Sequence, residues 1–409
     1  MSKSRIPTWV SLILLGVGLL VVGIPGLFVY MRVTATKVHP DSQNISSLTN
    51  SSPPAKWAGA VEQGRQIVRS SLSERNLPGI SVAVGVAGDI VWAEGFGFAN
   101  LENNLPVTPD DRFPIGTAAT VFTSAAIGLL LEEGRMRLDD DIQAYVPGFP
   151  QKQWPVTIRQ LMGHMGGLKT EDWDEGVLIY QHCEHPSDAL NLFGKEPLLF
   201  QPGTEYRYST FGWILLSAAV ETAANNPFKA FLQDRVLLPL GMLNTVKESG
   251  MDAVPGEVAF YVPRFLANPR YGMNPLPLHK FDYSCHAGSS GFVSTPSDLV
   301  RFGMAMNGGK LLRPDTVQTL QTSQRTTSGM ETGSGLGWEL KTVTIAGRQV
   351  RTAGHNGEFW GGPVSSLLTL PDSGIVVAVT SNITDSDTIG LGIKIAEAFV
   401  EQAGLPAGK

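Results

Sequence analysis

Thr117 and Thr120 carry hydroxyl groups, and their type and spacing suggest that they could form a catalytic pair. They lie three residues apart near the start of a helical pattern that runs from Pro114 to about Glu133. Side chains at this spacing share one face of a helix, so a nucleophile and its base would meet there. A threonine hydroxyl can attack a carbonyl, although its methyl group stiffens χ1. The alternative interpretation is that Thr117 only caps the helix, a role that suits threonine.

The elements that must position this helix are strands near both ends of the chain, with helices between them. The patterns predict a helix over 59–75, strands over 80–86, 90–96, 336–343, 348–353, 364–370 and 374–380, and a final helix over 387–402. One sheet built from both ends of the chain explains this order. We therefore predict an α/β fold in which an antiparallel sheet is flanked by helices and a helical region is inserted over roughly 137–300.

The N-terminal region contains a long apolar stretch over residues 9–31. At ~1.5 Å per residue it would be about 34 Å long as a helix, enough to cross a ~30 Å hydrocarbon layer. A cleaved signal peptide is the alternative, but its apolar region would be only ~7–15 residues long. We therefore expect a tail over 1–8, a transmembrane helix over 9–31, a flexible Ser/Thr/Asn/Pro-rich linker over 32–57 and a folded domain over 58–405.

Charge and cysteine content narrow the class of protein further. Basic residues flank both ends of the apolar stretch, with a slight excess before it, which favours a large domain outside the cytoplasm. A bacterial periplasm or cell surface and the mitochondrial intermembrane space both fit this orientation. The net charge of -6 and the absence of a long basic block argue against nucleic acid as a partner. Cys183 and Cys285 could pair, but two cysteines make no disulfide framework, and we expect them to be free.

A cluster of histidines next to Cys183 raises the question of a metal site. His182 and His185 lie within four residues of each other. The cluster lacks the paired spacing of a zinc motif, so we expect neither a metal nor another cofactor.

Several local motifs then follow one another in a recognisable order. They are Leu77-Pro-Gly-Ile-Ser-Val82, the Phe113-x-Ile-Gly-helix frame, Leu138-Asp-Asp-Asp-Ile142, Leu161-Met-Gly-His-Met-Gly-Gly-Leu168, Gln201-Pro-Gly-Thr-Glu-Tyr-Arg-Tyr-Ser-Thr-Phe-Gly212, Gly291-Phe-Val-Ser-Thr-Pro-Ser-Asp-Leu299, Gly335-Leu-Gly-Trp338 and Gly354-His-Asn-Gly357. In this order the chain resembles the class C β-lactamase, esterase and D,D-peptidase group of penicillin-binding serine hydrolases. Within that group it is most similar to the mitochondrial lactamase-like proteins and their bacterial relatives. The resemblance covers about residues 59–403.

The resemblance implies acyl-transfer chemistry with two substitutions at its centre. The group carries a serine nucleophile at the position of Thr117 and a lysine at the position of Thr120. Tyr208 matches the proton-shuttling tyrosine, and Thr210 stands where asparagine is usual, as in the lactamase-like subgroup. A phenol of pKa ~10 needs a neighbouring cation to ionise near neutral pH, so Tyr208 should be neutral without a lysine at position 120.

The same resemblance assigns roles to a strand near the C-terminus. His355 would orient a substrate carboxylate or assist proton transfer. Gly357 would let a substrate approach the strand backbone closely. The backbone N–H groups of Thr117 and Glu358 would form the oxyanion hole. A glutamate is electrostatically awkward there unless its side chain points away.

Two functions from different classes follow. The first is a membrane-anchored protein with this fold and a degenerate catalytic pair, which acts by binding a peptide, ester or β-lactam-like ligand in the inherited cleft. The second is an active acyl hydrolase of the peptidase, esterase or β-lactamase type that uses Thr117 with Tyr208 and His355. A purely structural role and the oligomeric state stay open.

Overall fold

The computed structural model describes residues 16–33, 37–169, 178–248, 252, 254–263, 275–278, 280–359 and 362–404. The strands in these residues are, in chain order, β1 Ser47–Thr49, β2 Gly79–Val86, β3 Asp89–Asn100, β4 Leu105–Pro106, β5 Phe113–Pro114, β6 Val246–Lys247, β7 Tyr261–Pro263, β8 Pro275–Pro277, β9 Phe292–Ser294, β10 Glu339–Ile345, β11 Arg348–Phe359, β12 Gly362–Leu370 and β13 Ile375–Ser381.

The main sheet joins strands from both ends of the chain, as predicted. Its order is β1-β3-β2-β13-β12-β11-β10, with β4 paired to β3, and the pairs are antiparallel. The β2–β3 hairpin turns at Ala87 and Gly88, which both have positive φ, as tight hairpin turns require. Strand β13 pairs with β2, and this pair joins the strands from the N-terminal part of the chain to those from the C-terminal part. The predicted antiparallel sheet with flanking helices is confirmed.

Helices cover both faces of this sheet. The α-helices are, in chain order, α1 Ile24–Val33, α2 Ala58–Arg75, α3 Thr120–Glu132, α4 Ile158–Met162, α5 Leu190–Phe193, α6 Thr210–Ala224, α7 Phe228–Leu232, α8 Pro296–Asn307, α9 Pro314–Leu320 and α10 Thr388–Ala403. Helices α2 and α10 share a core with β2, β3 and β13. Helices α3, α6 and α8 build the second and larger core.

Helix α3 lies at the centre of this larger core. Its residues from Thr120 to Gly128 are all buried, so it is apolar around its circumference rather than along one stripe, as expected of a core helix. Phe122 packs edge-on against Phe292 of β9 and Phe302 of α8. The start of α3 is therefore held rigidly, and a site built on it is held with it.

The expectation of a transmembrane helix over 9–31 is wrong. Among the described residues, no helix is both long enough and apolar enough to span a bilayer. The region contains a π-helical segment over Leu19–Gly23 followed by α1, and residues 1–15, with the expected tail, lie outside the described part.

Part of the segment expected to be a flexible linker packs against the domain. Strand β1 pairs with β3 at the edge of the sheet. His39 is buried, and its ring stacks on that of Phe98 with 5.5 Å between the ring centroids. Its Nε2 lies 3.0 Å from the carbonyl oxygen of Pro78. Ile45 is also buried. The described residues from 37 to 57 thus extend the sheet by one strand.

The cysteines form a disulfide, which corrects the expectation that they are free. Cys183 and Cys285 are bonded, with their Cα atoms 4.9 Å apart and a separation of 102 positions in sequence. The bond joins the segment before α5 to the loop before β9. Pairing between distant loops depends on the tertiary fold, which two cysteines in a sequence do not specify.

Candidate active site

The hydroxyl group of Thr117 lies against the backbone of strand β11. Thr117 sits in a single 3₁₀ turn over Gly116–Ala119 that leads into α3. Its Oγ1 donates to the carbonyl oxygen of Asn356 at 3.2 Å and accepts from the N–H of Glu358 at 3.0 Å. The side chain therefore bridges two backbone groups of one strand, and its proton points to a carbonyl rather than to a base.

Two glycines and a bulge allow this close approach. Gly116 has φ +53°, and a Cβ there would lie 2.0 Å from the carbonyl oxygen of Glu358. A Cβ on Gly357 would lie 2.0 Å from the carbonyl oxygen of Ile115, so any side chain would force the turn and the strand apart. The β11–β12 register shifts between Gly357 and Glu358, and such a bulge re-aims the backbone locally. The shift leaves the Glu358 N–H facing Thr117.

The buried serine Ser365 of β12 fixes the same turn from below. Its Oγ donates to the carbonyl oxygen of Ile115 at 2.7 Å. The side chain of Glu358, in contrast, is exposed. The acidic group next to the expected oxyanion position thus faces solvent.

Thr120 is a core residue rather than a partner of Thr117. It is fully buried, and its Oγ1 donates to the carbonyl oxygen of Ser289 at 3.3 Å. One turn later, Thr123 donates to the carbonyl oxygen of Gly288 at 2.7 Å. The position where the group carries a lysine is therefore closed against the loop before β9. Ser124 is also buried, and it donates to Leu336.

Tyr208 stacks on a histidine whose importance the sequence did not reveal. The rings of Tyr208 and His164 lie 4.4 Å apart and nearly parallel. The N–H of Ser209 donates to Nδ1 of His164 at 3.1 Å, and the indole nitrogen of Trp213 lies 3.4 Å from Nε2. Burial, together with the nearby charge of His355, lowers the pKa of His164 to about 3. This imidazole is neutral at physiological pH and so places no positive charge next to the phenol of Tyr208.

His355 lies on β11 with a carboxylate behind it. Its Nδ1 donates to the carbonyl oxygen of Asn356 at 2.5 Å and lies 3.9 Å from Oε1 of Glu339. That oxygen also accepts from the N–H of Asn356 at 3.2 Å. Burial alone would raise the pKa of Glu339, but the charges of His355 and Lys341 outweigh it and lower that pKa. Glu339 follows Trp338 in the Gly335-Leu-Gly-Trp338 motif, which is the only signal that could have suggested it.

The remaining predicted residues have simpler surroundings. Thr210 is buried as the first residue of α6, after the capping residue Ser209. His182 contacts Asp282 at 2.8 Å and His185 contacts Glu221 at 2.9 Å, so they face different carboxylates. In the part of the chain that the structure describes, no group of three or more metal-ligating side chains converges.

This arrangement brings together several groups that the resemblance assigns to an acyl-transfer site. A donor N–H, a tyrosine and a histidine–carboxylate pair are present. Among the described residues, no lysine contacts the hydroxyl of Thr117. The fold and the site define a β-lactamase-related serine hydrolase scaffold with a threonine at the position where the group carries its serine.

Comparisons with known proteins agree with this class. The beta-lactamase family model matches residues 62–399, and the chain belongs to this family. It is 27% identical to the human "Serine beta-lactamase-like protein LACTB, mitochondrial", over 88% of this chain and 84% of that protein.

Solved structures show the same fold at lower identity. An octameric penicillin-binding protein homologue from Pyrococcus abyssi matches with a TM-score of 0.69 and 21% identity, over 83% of this chain and 77% of that one. A D-stereospecific amidohydrolase from Streptomyces matches with a TM-score of 0.68 and 20% identity, over 84% of this chain and 99% of that one.

Proposed function

We propose that this protein is a catalytically impaired member of the beta-lactamase family that acts by binding a ligand in its inherited cleft. The observation that carries the proposal is the pair of hydrogen bonds of Thr117. Its hydroxyl accepts from Glu358 and donates to Asn356. A nucleophile must instead give its proton to a base as it attacks.

The surroundings of Thr120 support the same proposal. A neutral hydroxyl that is fully buried and bonded to a backbone carbonyl supplies neither a base nor a positive charge. General-base assistance is worth about 10²–10⁴-fold in rate. The neutral His164 beneath Tyr208 does not replace that charge. We therefore expect any hydrolysis through Thr117 to be slow.

The retained features point to a peptide, ester or β-lactam-like ligand. Gly357 lets the Thr117 turn approach strand β11, the N–H of Glu358 faces the Thr117 hydroxyl, and the strand also carries His355. Binding of an acyl group needs these elements but does not need an activated hydroxyl. The cleft is therefore a binding site in this proposal.

An active acyl hydrolase is the second candidate function. Retained Tyr208 and the His355–Glu339 contact at 3.9 Å favour it. In this candidate Thr117 attacks a carbonyl, and Tyr208 with His355 handles the proton. The substrate would be a peptide, an ester or a β-lactam.

Steady-state hydrolysis by the full chain separates the two functions. A chromogenic ester and a chromogenic β-lactam are offered to the parent protein and to Thr117→Ala. The binding proposal expects equal rates for both proteins, at the level of buffer or of nonspecific surface hydrolysis. A parent rate that Thr117→Ala abolishes would establish the hydrolase instead.

We further propose that the domain works in an oxidising compartment outside the cytoplasm. The Cys183–Cys285 bond supports this location, since disulfides persist mainly in such compartments. The human relative is named as a mitochondrial protein, which is compatible with a location in the intermembrane space. Alkylation of protein from acid-quenched cells tests the proposal. We expect no alkylated thiol before reduction and two afterwards, whereas two alkylated thiols without reductant would refute it.

A further inference from the structure

A cavity of about 280 Å³ lies next to the turn that carries Thr117. Phe359 lines it at the end of β11 and directly follows Glu358, whose N–H bonds to the hydroxyl of Thr117. Pro114 of β5 also lines it and stands two residues before the Gly116–Ala119 turn. One wall of the cavity therefore begins one residue beyond the backbone donor that would bind a ligand carbonyl.

Most of the described residues that line the cavity are apolar or aromatic, and they include Val254 and Leu278. The ring of Phe359 packs edge-on against that of Phe260 at 4.8 Å and lies 4.9 Å from the ring of Tyr283. Leu278 packs against the same small cluster of apolar side chains. These side chains hold one another in place, so the cavity has a firm apolar wall.

The charged groups of the cavity balance one another. Nζ of Lys280 lies 2.9 Å from Oε2 of Glu257 and 3.5 Å from Oε2 of Glu248. The buried ammonium group of Lys247 also acts on Glu248, whose pKa is raised to about 7 by burial and by the charge of Glu257. Two cations thus face at most two carboxylates, and no surplus charge attracts an ion. Since a charged group would lose its hydration there without gaining a partner, the cavity favours an uncharged group.

The volume of the cavity limits the size of that group. An apolar cavity of about 150 Å³ holds one benzene molecule, and whole ligands occupy pockets that begin at about 300 Å³. At about 280 Å³, the cavity has room for one ring and a short linker. The rest of a ligand would lie outside it, along the Thr117 turn.

We propose that this cavity holds the uncharged apolar side group of a ligand whose carbonyl oxygen lies at the N–H of Glu358, so that the cleft selects arylacyl or similarly bulky apolar acyl compounds. The inference rests on the proposed binding function and deepens it by naming the chemical class of the ligand. Consecutive Cα atoms are about 3.8 Å apart, and one methylene group separates the carbonyl and the ring of a phenylacetyl group. One such ligand therefore reaches both Glu358 and the wall at Phe359.

Four primary amides test this selection. They are acetamide, phenylacetamide and the two phenylacetamides that carry an aminomethyl or a carboxyl group at ring position 4. Ligand-observed NMR titrations on the full chain, at neutral pH and fixed salt, give a dissociation constant for each. We expect phenylacetamide to bind at least roughly tenfold more tightly than acetamide, the lower end of the gain from burying an aromatic side chain. It should also bind at least roughly tenfold more tightly than either charged derivative.

Three results would overturn the proposal: no saturable binding of phenylacetamide, equal binding of acetamide and phenylacetamide, or tightest binding of a charged derivative. These results are distinct from a failure of the proposed function, which the Thr117→Ala hydrolysis test decides. If the protein proved to be a hydrolase, phenylacetyl esters should still be preferred over acetyl esters. If the size preference were missing in a protein without turnover, only the assignment of the cavity would fall.

Substitutions then locate the site. Leu278→Ser makes one apolar wall polar, and Val254→Trp fills the cavity from a half-buried position. Each should weaken phenylacetamide binding at least roughly fivefold. Leu276→Ser is the matched control, because this exposed leucine of β8 is not among the described lining residues, and it should leave binding unchanged. If Leu278→Ser does not fold, Val254→Trp carries the test. Unchanged phenylacetamide affinity in the folded lining variants would refute the assignment.

Discussion

The two halves of the candidate site differ in how many of the groups expected for acyl transfer they contain. The α3 half, with Thr117 and Thr120, holds hydroxyl groups that bond to backbone carbonyls. The β11 half keeps a bulged strand with an N–H aimed at the nucleophile position, and a histidine next to a carboxylate. In the proposed function, the loss is therefore local to the 3₁₀ turn of Thr117 and the first residue of α3.

The residues that hold the backbone geometry of the site are different from the residues that would activate the hydroxyl group. The contacts that press the 3₁₀ turn onto β11 do not use the side chain of Thr120. They need the absence of side chains at Gly116 and Gly357, and they need the hydroxyl of Ser365. Geometry for binding a carbonyl group is thus maintained by residues other than those that would activate an attack.

Restoring the α3 half should produce the largest effect. In Thr117→Ser/Thr120→Lys, the ammonium group returns to the face of the hydroxyl, and ester hydrolysis should rise by roughly 10²–10⁴-fold over the parent. Stopped assays with a chromogenic ester measure the gain. Thr117→Ser alone is the control and should remain near the parent rate. A folded double variant with no gain would show that the closed surroundings of position 120, or the β11 half, do not accept a working serine–lysine pair.

Adding a methyl group to the β11 half should cost the most stability. The Cβ of Gly357→Ala would lie 2.0 Å from the carbonyl oxygen of Ile115 and from Oγ of Ser365. Overpacking of this kind costs roughly 1–3 kcal/mol or more, so urea unfolding should show a loss of that size. Gly392→Ala in α10 is the matched control, because its Cβ would meet its nearest atom at an ordinary 3.5 Å. Equal stability of the two variants would mean that turn and strand are not in tight contact.

Two buried neutral imidazoles near the candidate site predict acid sensitivity. Burial lowers the pKa of His164, beneath Tyr208, to about 3, and burial with the charge of Lys247 does the same for His286, in the loop that receives Thr120. The unfolded value is 6.5, so the unfolded state binds more protons below that pH and stability falls as pH falls. Each histidine should cost about 2 kcal/mol between neutral pH and about pH 5.

Unfolding experiments on variants isolate this effect. His286→Gln should flatten the fall in the free energy of unfolding below about pH 6.5. Glu248, whose pKa burial and Glu257 raise to about 7, acts in the opposite direction, so slopes are compared between variants. His182→Gln is the control, because hydrogen bonding to Asp282 raises the pKa of that exposed histidine. An acid slope in His286→Gln as steep as in the parent would contradict the assignment.

Removing the hydroxyl of Thr120 should have the smallest effect. Thr120→Val keeps the shape and deletes the hydrogen bond to Ser289, so the free energy of unfolding should fall by about 1 kcal/mol. Ester hydrolysis should not change, because Thr120 supplies no proton transfer. A drop in a Thr117-dependent rate in the valine variant would instead give this hydroxyl a catalytic role.

The sequence predicted the sheet and helix α3 because their periodicity and turn residues are local signals. The strand over 348–353 was nevertheless predicted too short, since β11 continues to Phe359 through the glycine-rich motif and its bulge. The Cys183–Cys285 bond and the stack of His164 on Tyr208 join residues far apart in sequence. Such contacts depend on the packed fold, so no local sequence pattern predicts them.

Covalent trapping tests the central claim most directly. The full chain and Thr117→Ala are incubated with a serine-reactive fluorophosphonate, and their intact masses are measured. The Thr117 hydroxyl donates to the carbonyl of Asn356, and no basic side chain of the described residues is hydrogen-bonded to it, so it should not react. We therefore predict no adduct on the parent. An adduct on the parent that is absent from Thr117→Ala would contradict the account and establish Thr117 as a working nucleophile.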